Sequence, residues 1–480
     1  MKKIQNAIFR FSLALSMLAA SAHAQFKDAA QFGFLPENDG FKNAEALQKA
    51  VDGGGTIAVS KKGVYAISKE IRIGDNTHLV FGADTVVKKT AAKGASFTYA
   101  FVNKGAYDKT FNENIRITGL NLSVGGIDQC NTPIVGLIGH LSFFYVKDLR
   151  IENFRCADLE KGQFCIQICA FENIIVRDAI IKGKKDGVHL GRGKTFKIAD
   201  CDFTTFDDAI ALNAHDYSTS NPELGWIEDG VIENIVDRNE EKTVGYFCRI
   251  LGGSWTDWRE GMKIQRSDSV VSDGRIYRSV NKPDGKTYIS KTRPTHKSGT
   301  QTLDGILWRV VQDGATYTAG VRNVVFRDIF LYKPRTAFSV HFDNGVYSRS
   351  YYPNAPFVSQ SGLVFDNVRV MFDEPKPFLT SLTPIDSMVM NNCHLKKNKI
   401  LFFCNSDMKD FGKTSMRFSN CTFDVPENFV LIENKIKNKQ LDVRARGSIL
   451  PNGKPAVKDR LDRDFFDCDF LEKKDRKSVV

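Results

Sequence analysis

Ile174-Ile175-Val176-Arg177-Asp178 and Phe196-Lys197-Ile198-Ala199-Asp200 share one pattern: apolar, any, apolar, any, then a bend-forming residue. Alternation with a period of two is the mark of a strand with one buried face. Asn, Asp or Gly at the fifth place marks a tight bend that tolerates a left-handed backbone. The pattern recurs at Ile115–Gly119, Phe144–Asp148, Gly230–Asn234, Val324–Asp328, Leu363–Asn367, Met388–Asn392 and Met416–Asn420. A strand–bend unit that cannot bury its own face must stack on copies of itself. The expected fold is therefore all-β, a right-handed parallel β-helix of about ten coils. An antiparallel sandwich or propeller would need regular hairpin turns such as Asn-Gly, and few are present.

The spacing also divides the chain. Neighbouring bend residues lie one coil apart, as with Asp178 and Asp200 (200 − 178 = 22), but Asn234 and Asp328 are separated by 328 − 234 = 94 residues. Within that gap lie Asp273-Gly274, Asp284-Gly285 and Asp304-Gly305 beside aromatic residues, which suggests small β-hairpins. A small β-module is expected over 261–318, between β-helix segments 25–260 and 319–440. Asn43 to Val51 has helical spacing, with Asn43 a candidate N-cap and Gly53-Gly54-Gly55 as its end. Such a helix would cover the first open coil edge. The charged stretch 441–480 shows no clear repeat and is expected to be a loosely docked tail or cap.

Residues 1–24 look like a secretory signal: Lys2, Lys3 and Arg10, an apolar core, then Ala22-His23-Ala24 before Gln25. The apolar run is too short for a membrane span. A periplasmic or secreted monomer is expected. Export argues against a nucleic-acid partner. The formal charge is +11, and 11 − 3 = +8 without those three basic residues. That excess suits an anionic polysaccharide or oligosaccharide. Ten cysteines raise the question of a disulfide framework. Cys201, Cys393 and Cys421 share one slot of the repeat, however, so most are expected to be free core thiols, with Cys393 and Cys421 stacked on adjacent coils. No Cys/His cluster implies a metal, and no cofactor is expected.

Two short segments carry the chemistry. Lys185-Asp186-Gly187-Val188-His189-Leu190 is followed by Phe206-Asp207-Asp208-Ala209-Ile210-Ala211-Leu212. The acids precede their apolar runs, unlike the bend residues Asp178 and Asp200, which follow theirs. On stacked coils Asp186, Asp207 and Asp208 meet on one face. Mutual repulsion splits their proton affinities and provides an acid and a base, as glycosidic cleavage requires. Arg249 lies on an apolar strand, where it must pair with an acid or grip substrate. His189 faces away from Val188 and Leu190, towards Asp186. His215, His341 and Asp343 are further candidates for the site. Trp255 and Trp258 could stack on sugar or anchor the module.

These residues resemble the pectin-lyase-like β-helix superfamily and, within it, glycoside hydrolase family 28, the polygalacturonases. Phe32-Gly33, Asp39-Gly40 and Gly63-Val64-Tyr65 match the superfamily's first coils. Lys185-Asp186-Gly187, Asp207-Asp208 and Cys248-Arg249-Ile250-Leu251 match the family's Asn-Thr-Asp-Gly, Asp-Asp and Arg-Ile-Lys motifs. Ala337–Asp343, with His341 and Asp343, occupies the place of a substrate-lining strand. The resemblance implies Asp207 as general acid, with Asp186 and Asp208 holding and deprotonating the water, and inversion at the anomeric carbon. The chain lacks the family's Gly-His-Gly strand and has Leu251 where the family has Lys, both parts of its uronate-handling site. A polysaccharide lyase with calcium on Asp207 and Asp208, and a non-catalytic carbohydrate-binding β-helix, are the competing expectations.

Overall fold

The computed structural model describes residues 26–91, 97–127, 133–239, 244–341, 349–403, 411–426, 429–436, 439–450, 457–459 and 466–472. The leader 1–24 and Asp343 lie outside the described residues. The chain forms a parallel β-helix, as its repeat predicts. Ile174 pairs with Phe196, Phe196 with Gly230, Gly230 with Val324 and Val324 with Leu363, all in parallel register. The inserted residues leave this register intact.

The bend slots behave as the sequence implies. Asp178, Asp200, Asn234, Asp328, Asn367, Asn392 and Asn420 all have φ between 51° and 55°. Side chains also bond from coil to coil: Asn234 Nδ2 donates to Asp200 Oδ1 (2.6 Å) and Asn367 Nδ2 to Asp328 Oδ1 (2.6 Å). One assignment is corrected. Ile115 pairs with Leu149, not Phe144, so the slot in that coil is Asn153 (φ 53°). Asp148 (φ 51°) belongs to the preceding corner, where it accepts from Asn173. Both corners are left-handed and the apolar alternation runs through both, so the motif alone does not separate them.

A second ladder carries the site. Its strands are Ile71–Ile73, Phe101–Asn103, Leu141–Ser142, Ile166–Ile168, Val188–Leu190, Ile210–Asn213, Cys248–Leu251, Phe338–His341, Leu379–Ser381, Ile400–Phe402, Ile432–Asn434 and Val457–Asp459. These twelve strands among the described residues exceed the ten coils expected. The surplus comes from the ends, where the repeat weakens. Gln440–Leu450 pairs with Lys413–Ser419 and with Phe466–Glu472, so the stack continues through the stretch expected to be a loose tail.

Inward residues form one continuous apolar core. Phe338 is its hub, with ring centroids 4.8–5.5 Å from Phe247, Phe326, Phe365 and Phe378. The cap helix spans Gly40–Asp52. Its N-cap is Asp39, which accepts from Phe41 N and Lys42 N. Asn43 is instead buried in the first turn and accepts from Leu35 N. Cys156, Cys165, Cys169, Cys201, Cys248, Cys393 and Cys421 are all buried and free. Cys393 and Cys421 stack on adjacent coils, and their thiols donate to the carbonyls of Phe365 (3.4 Å) and Met390 (3.3 Å). Among the described residues no helix is long and apolar enough to cross a membrane.

The inserted module is closed at its neck by antiparallel pairing of Gly253–Ser254 with Thr318–Ala319. It therefore begins 261 − 253 = 8 residues before the expected edge. Its body is a five-stranded sheet with its own core around Tyr277 and Trp308.

Candidate active site

Register decides which side chains meet. Ile166 pairs with Val188, Val188 with Ile210 and Ile210 with Cys248. Two residues before each lies one column: Phe164, Asp186, Asp208 and Tyr246. One residue further back lies Lys185, Asp207 and Gly245. The stacked pair of like charges is thus Asp186 over Asp208, while Asp207 stacks on Lys185 and is ion-paired to it. The Lys185 ammonium also lies 3.7 Å from Asp186. Oxygens of Asp186, Asp207 and Asp208 all fall within 4.8 Å of one another. Gly245 lets the next coil pack directly on the Asp207–Asp208 backbone: a Cβ there would lie 2.3 Å from the Asp207 carbonyl carbon and 2.5 Å from Asp208 N.

The three acids differ in surroundings. Asp186 and Asp208 are buried, and Asp207 keeps part of its carboxylate in solvent. Burial, then the Asp207 charge, pushes the Asp186 carboxyl up to about 8, against the opposing pull of Lys185 and Arg249. Burial, then Asp186, likewise drives Asp208 well above the ordinary carboxylate range. Tyr246 N donates to Asp208 Oδ1 (2.8 Å), which favours its charged form. His189 Nδ1 lies 3.0 Å from Asp186 Oδ2, and its ring stacks on Phe164 at 4.0 Å. Burial lowers His189 to about 4, so the imidazole is neutral at neutral pH.

The raised Asp186 value has a consequence for stability. From pH about 4 to about 8 the folded protein holds a proton that the unfolded chain has released. The associated stability is fully present below about pH 4 and is lost as pH rises through about 8. Asp186→Asn has no charge to bury. Its melting temperature should match wild type near pH 4 and exceed it near pH 9. Thermal unfolding of both proteins across that range checks this, and parallel curves would mean that Asp186 ionises as easily folded as unfolded.

The other expected residues fall in several places. Arg249 pairs in register with Ala211, itself opposite His189, so it shares the His189 face one coil beyond Ala211. Its charge acts on Asp186, Asp208 and His189, and its guanidinium lies 5.8 Å from the Tyr217 ring. His341 ends the next strand, with Nδ1 2.9 Å from Ser339 Oγ. His215 is buried beneath Gly253, 5.9 Å from the Trp255 ring. Trp255 does not present a face to a sugar: it is 1% exposed and its indole N–H donates to Thr316 O (2.6 Å). It anchors the module, because the module folds back over it. Trp258 donates to Ser290 Oγ (2.8 Å) inside the module.

Sequence reasoning did not single out Lys185, Tyr246, Phe164 or Asp216 as site residues. Asp216 comes from the loop after Asn213. It is buried, its Oδ1 accepts from Tyr217 N (2.7 Å) and its Oδ2 from Asn213 Nδ2 (2.9 Å). Asp216 Oδ2 lies 3.7 Å from His189 Nε2. The module holds the far side of this loop, where Gln312 accepts from Leu224 N (2.8 Å) and Trp226 donates to Thr318 Oγ1 (3.2 Å). The sequence shows the repeat and the module, but not that the register sets Phe164 and Tyr246 in the column of the acids, or that the loop after Asn213 brings Asp216 to His189. A groove of about 630 Å³, lined by none of the three acids, is bordered by Asp158, Glu160, Lys161, Lys182, Lys184 and Phe206, among others, with Lys184 ion-paired to Glu160 (2.8 Å).

No protein-family model matches the chain, and no curated protein matches it. Among solved structures it is similar to the family 28 exopolygalacturonase of Yersinia enterocolitica, with 12% identity, 88% of this chain and 79% of that one covered, and a TM-score of 0.47. It is also similar to the surface adhesin PfbA of Streptococcus pneumoniae, with 12% identity, 88% and 91% covered, and a TM-score of 0.41. A third likeness is to the A-module of the mannuronan C-5 epimerase AlgE6 of Azotobacter vinelandii, with 11% identity, 88% and 98% covered, and a TM-score of 0.42.

Proposed function

We propose that the protein is an exported glycoside hydrolase that cleaves a glycosidic bond in an acidic, pectin-like polysaccharide or oligosaccharide with inversion. The observation that carries this reading is the buried Asp186–Asp208 stack beside the half-buried Asp207, with oxygens within 4.8 Å. A water bonded to two oxygens at about 2.8 Å each spans up to ~5.6 Å, so Asp186 and Asp208 can share one. Asp207, the accessible acid, takes up a proton from solvent when the substrate draws Lys185 away, and then gives that proton to the leaving oxygen while Asp208 accepts one from the water. The acids sit closer than the roughly 6.5–9.5 Å of most inverting pairs. Inversion therefore rests on the shared water and on the resemblance of the motifs to polygalacturonases. The basic balance of the chain supports an anionic glycan.

The competing lyase chemistry would place a divalent cation among these acids. The Lys185 ammonium already pairs with Asp207 and approaches Asp186, which disfavours that reading. The test is product analysis on pectins, arabinogalactans and algal glycans. Saturated products with new reducing ends, first released as the inverted anomer and unaffected by chelator, are expected. Ultraviolet-absorbing unsaturated products lost with chelator would establish a lyase. Binding without any product would establish a carbohydrate-binding β-helix, and first release of the retained anomer would overturn the inverting mechanism.

A further inference from the structure

Two carboxyls stacked one rung apart cannot both ionise easily, so the pair holds a proton whose place matters. Their polar partners differ in kind. Asp208 Oδ1 receives a backbone N–H, from Tyr246, which supports a carboxylate. Asp186 Oδ2 faces a ring nitrogen, His189 Nδ1, at 3.0 Å. What that nitrogen does depends on the tautomer, and the tautomer depends on what faces Nε2. Nε2 faces Asp216, 3.7 Å away, whose two oxygens are fixed by Tyr217 N and Asn213 Nδ2. A carboxylate opposite Nε2 favours the N–H there and leaves Nδ1 as an acceptor. A carboxylic acid at Asp186 then donates its O–H to Nδ1.

We infer that Asp216 and His189 are positioning residues that fix the shared proton on Asp186 and so leave Asp208 as the base for the attacking water. The inference rests on the hydrolase reading for its catalytic consequence, but not for its geometry. The charged and titratable groups around His189 are Asp186, Asp207, Asp216, Lys185 and Arg249. Of these, Asp216 faces Nε2 within ion-pair distance and Asp186 faces Nδ1. The loop that carries Asp216 is held by the inserted module through Gln312 and Thr318. The module is thus linked to the acids through this loop.

The decisive measurement is nitrogen-15 spectroscopy of the histidine side chains in the resting, full-length protein, with His189→Asn assigning the resonance. His189 is expected in the Nε2–H form, and Asp216→Asn should shift it towards a mixture of tautomers. A wild-type ring in the Nδ1–H form would overturn the inference, since Nδ1 would then donate to an Asp186 carboxylate. This readout needs no turnover, so it stands or falls separately from the proposed activity. On a substrate that turns over, Asp216→Asn should lower kcat about 10–100-fold with little change in KM, the scale of a misplaced acid–base group. His189→Asn keeps an acceptor near the Nδ1 position and should retain more activity than His189→Leu at equal folded content by circular dichroism. Equal loss in the two His189 variants would count against the acceptor role.

Discussion

Asp207→Asn and Asp208→Asn are each expected to lower kcat at least ~100-fold on any substrate the wild type turns over, with a similar loss for Asp186→Asn. The amide is nearly isosteric with the carboxylate but neither gives up nor takes a proton at neutral pH. In the proposed mechanism Asp207→Asn removes the donor to the leaving oxygen, and Asp208→Asn removes the base that activates water. Both act on the transition state, so kcat should fall while KM changes little. Asp200→Asn is the control. Asp200 sits in the left-handed bend slot, which asparagine tolerates, and lies on a bend rather than among the acids. If Asp207→Asn and Asp208→Asn keep near-wild-type rates while Asp200→Asn does too, the acids are structural and the site assignment fails.

The contrast between Asp200 and Asp208 shows what the sequence reveals of this protein. The fold is legible because a β-helix repeats one local rule. Each bend residue must be able to turn left-handed, and each flanking pair must fill the core. The acids are legible for the opposite reason: they break the rule, standing before their apolar runs rather than after. What adjacency does not reveal is register. Adjacency puts all three acids on one face without saying which of Asp207 and Asp208 stacks on Asp186; the Val188–Ile210 pairing stacks Asp186 on Asp208 and sets Asp207 against Lys185. A shift of one residue changes a repelling pair into an attracting one. The same limit hides Tyr246, which reaches the column from 38 residues beyond Asp208 (246 − 208 = 38), with residues 240–243 between them outside the described chain. Trp255 could be a sugar platform or an anchor as far as its sequence goes. Only burial, a property of the whole fold, decides for the anchor.

The largest effect on stability should come from Phe338→Ala, a loss of about 3–5 kcal/mol, the usual cost of removing a fully buried phenylalanine. Phe338 is completely buried and touches rings from four other strands and turns: Phe247 on the coil before, Phe326 and Phe365 on the neighbouring ladder, and Phe378 on the coil after. These rings lie edge-on or tilted to it at close range, so truncation leaves a cavity that no single neighbour can close. Each coil is held mainly by its two neighbours, so a gap here weakens the joint between the coils on either side. The Phe338 backbone pairs with Cys248, beside Arg249, so the weakened joint adjoins the coils that carry the three acids. Phe357→Ala, at a residue 52% exposed, should change stability by no more than about 0.5 kcal/mol. Denaturant unfolding of both variants provides the comparison. A Phe338→Ala loss below about 1 kcal/mol would mean that the aromatic stack does not bind these coils together.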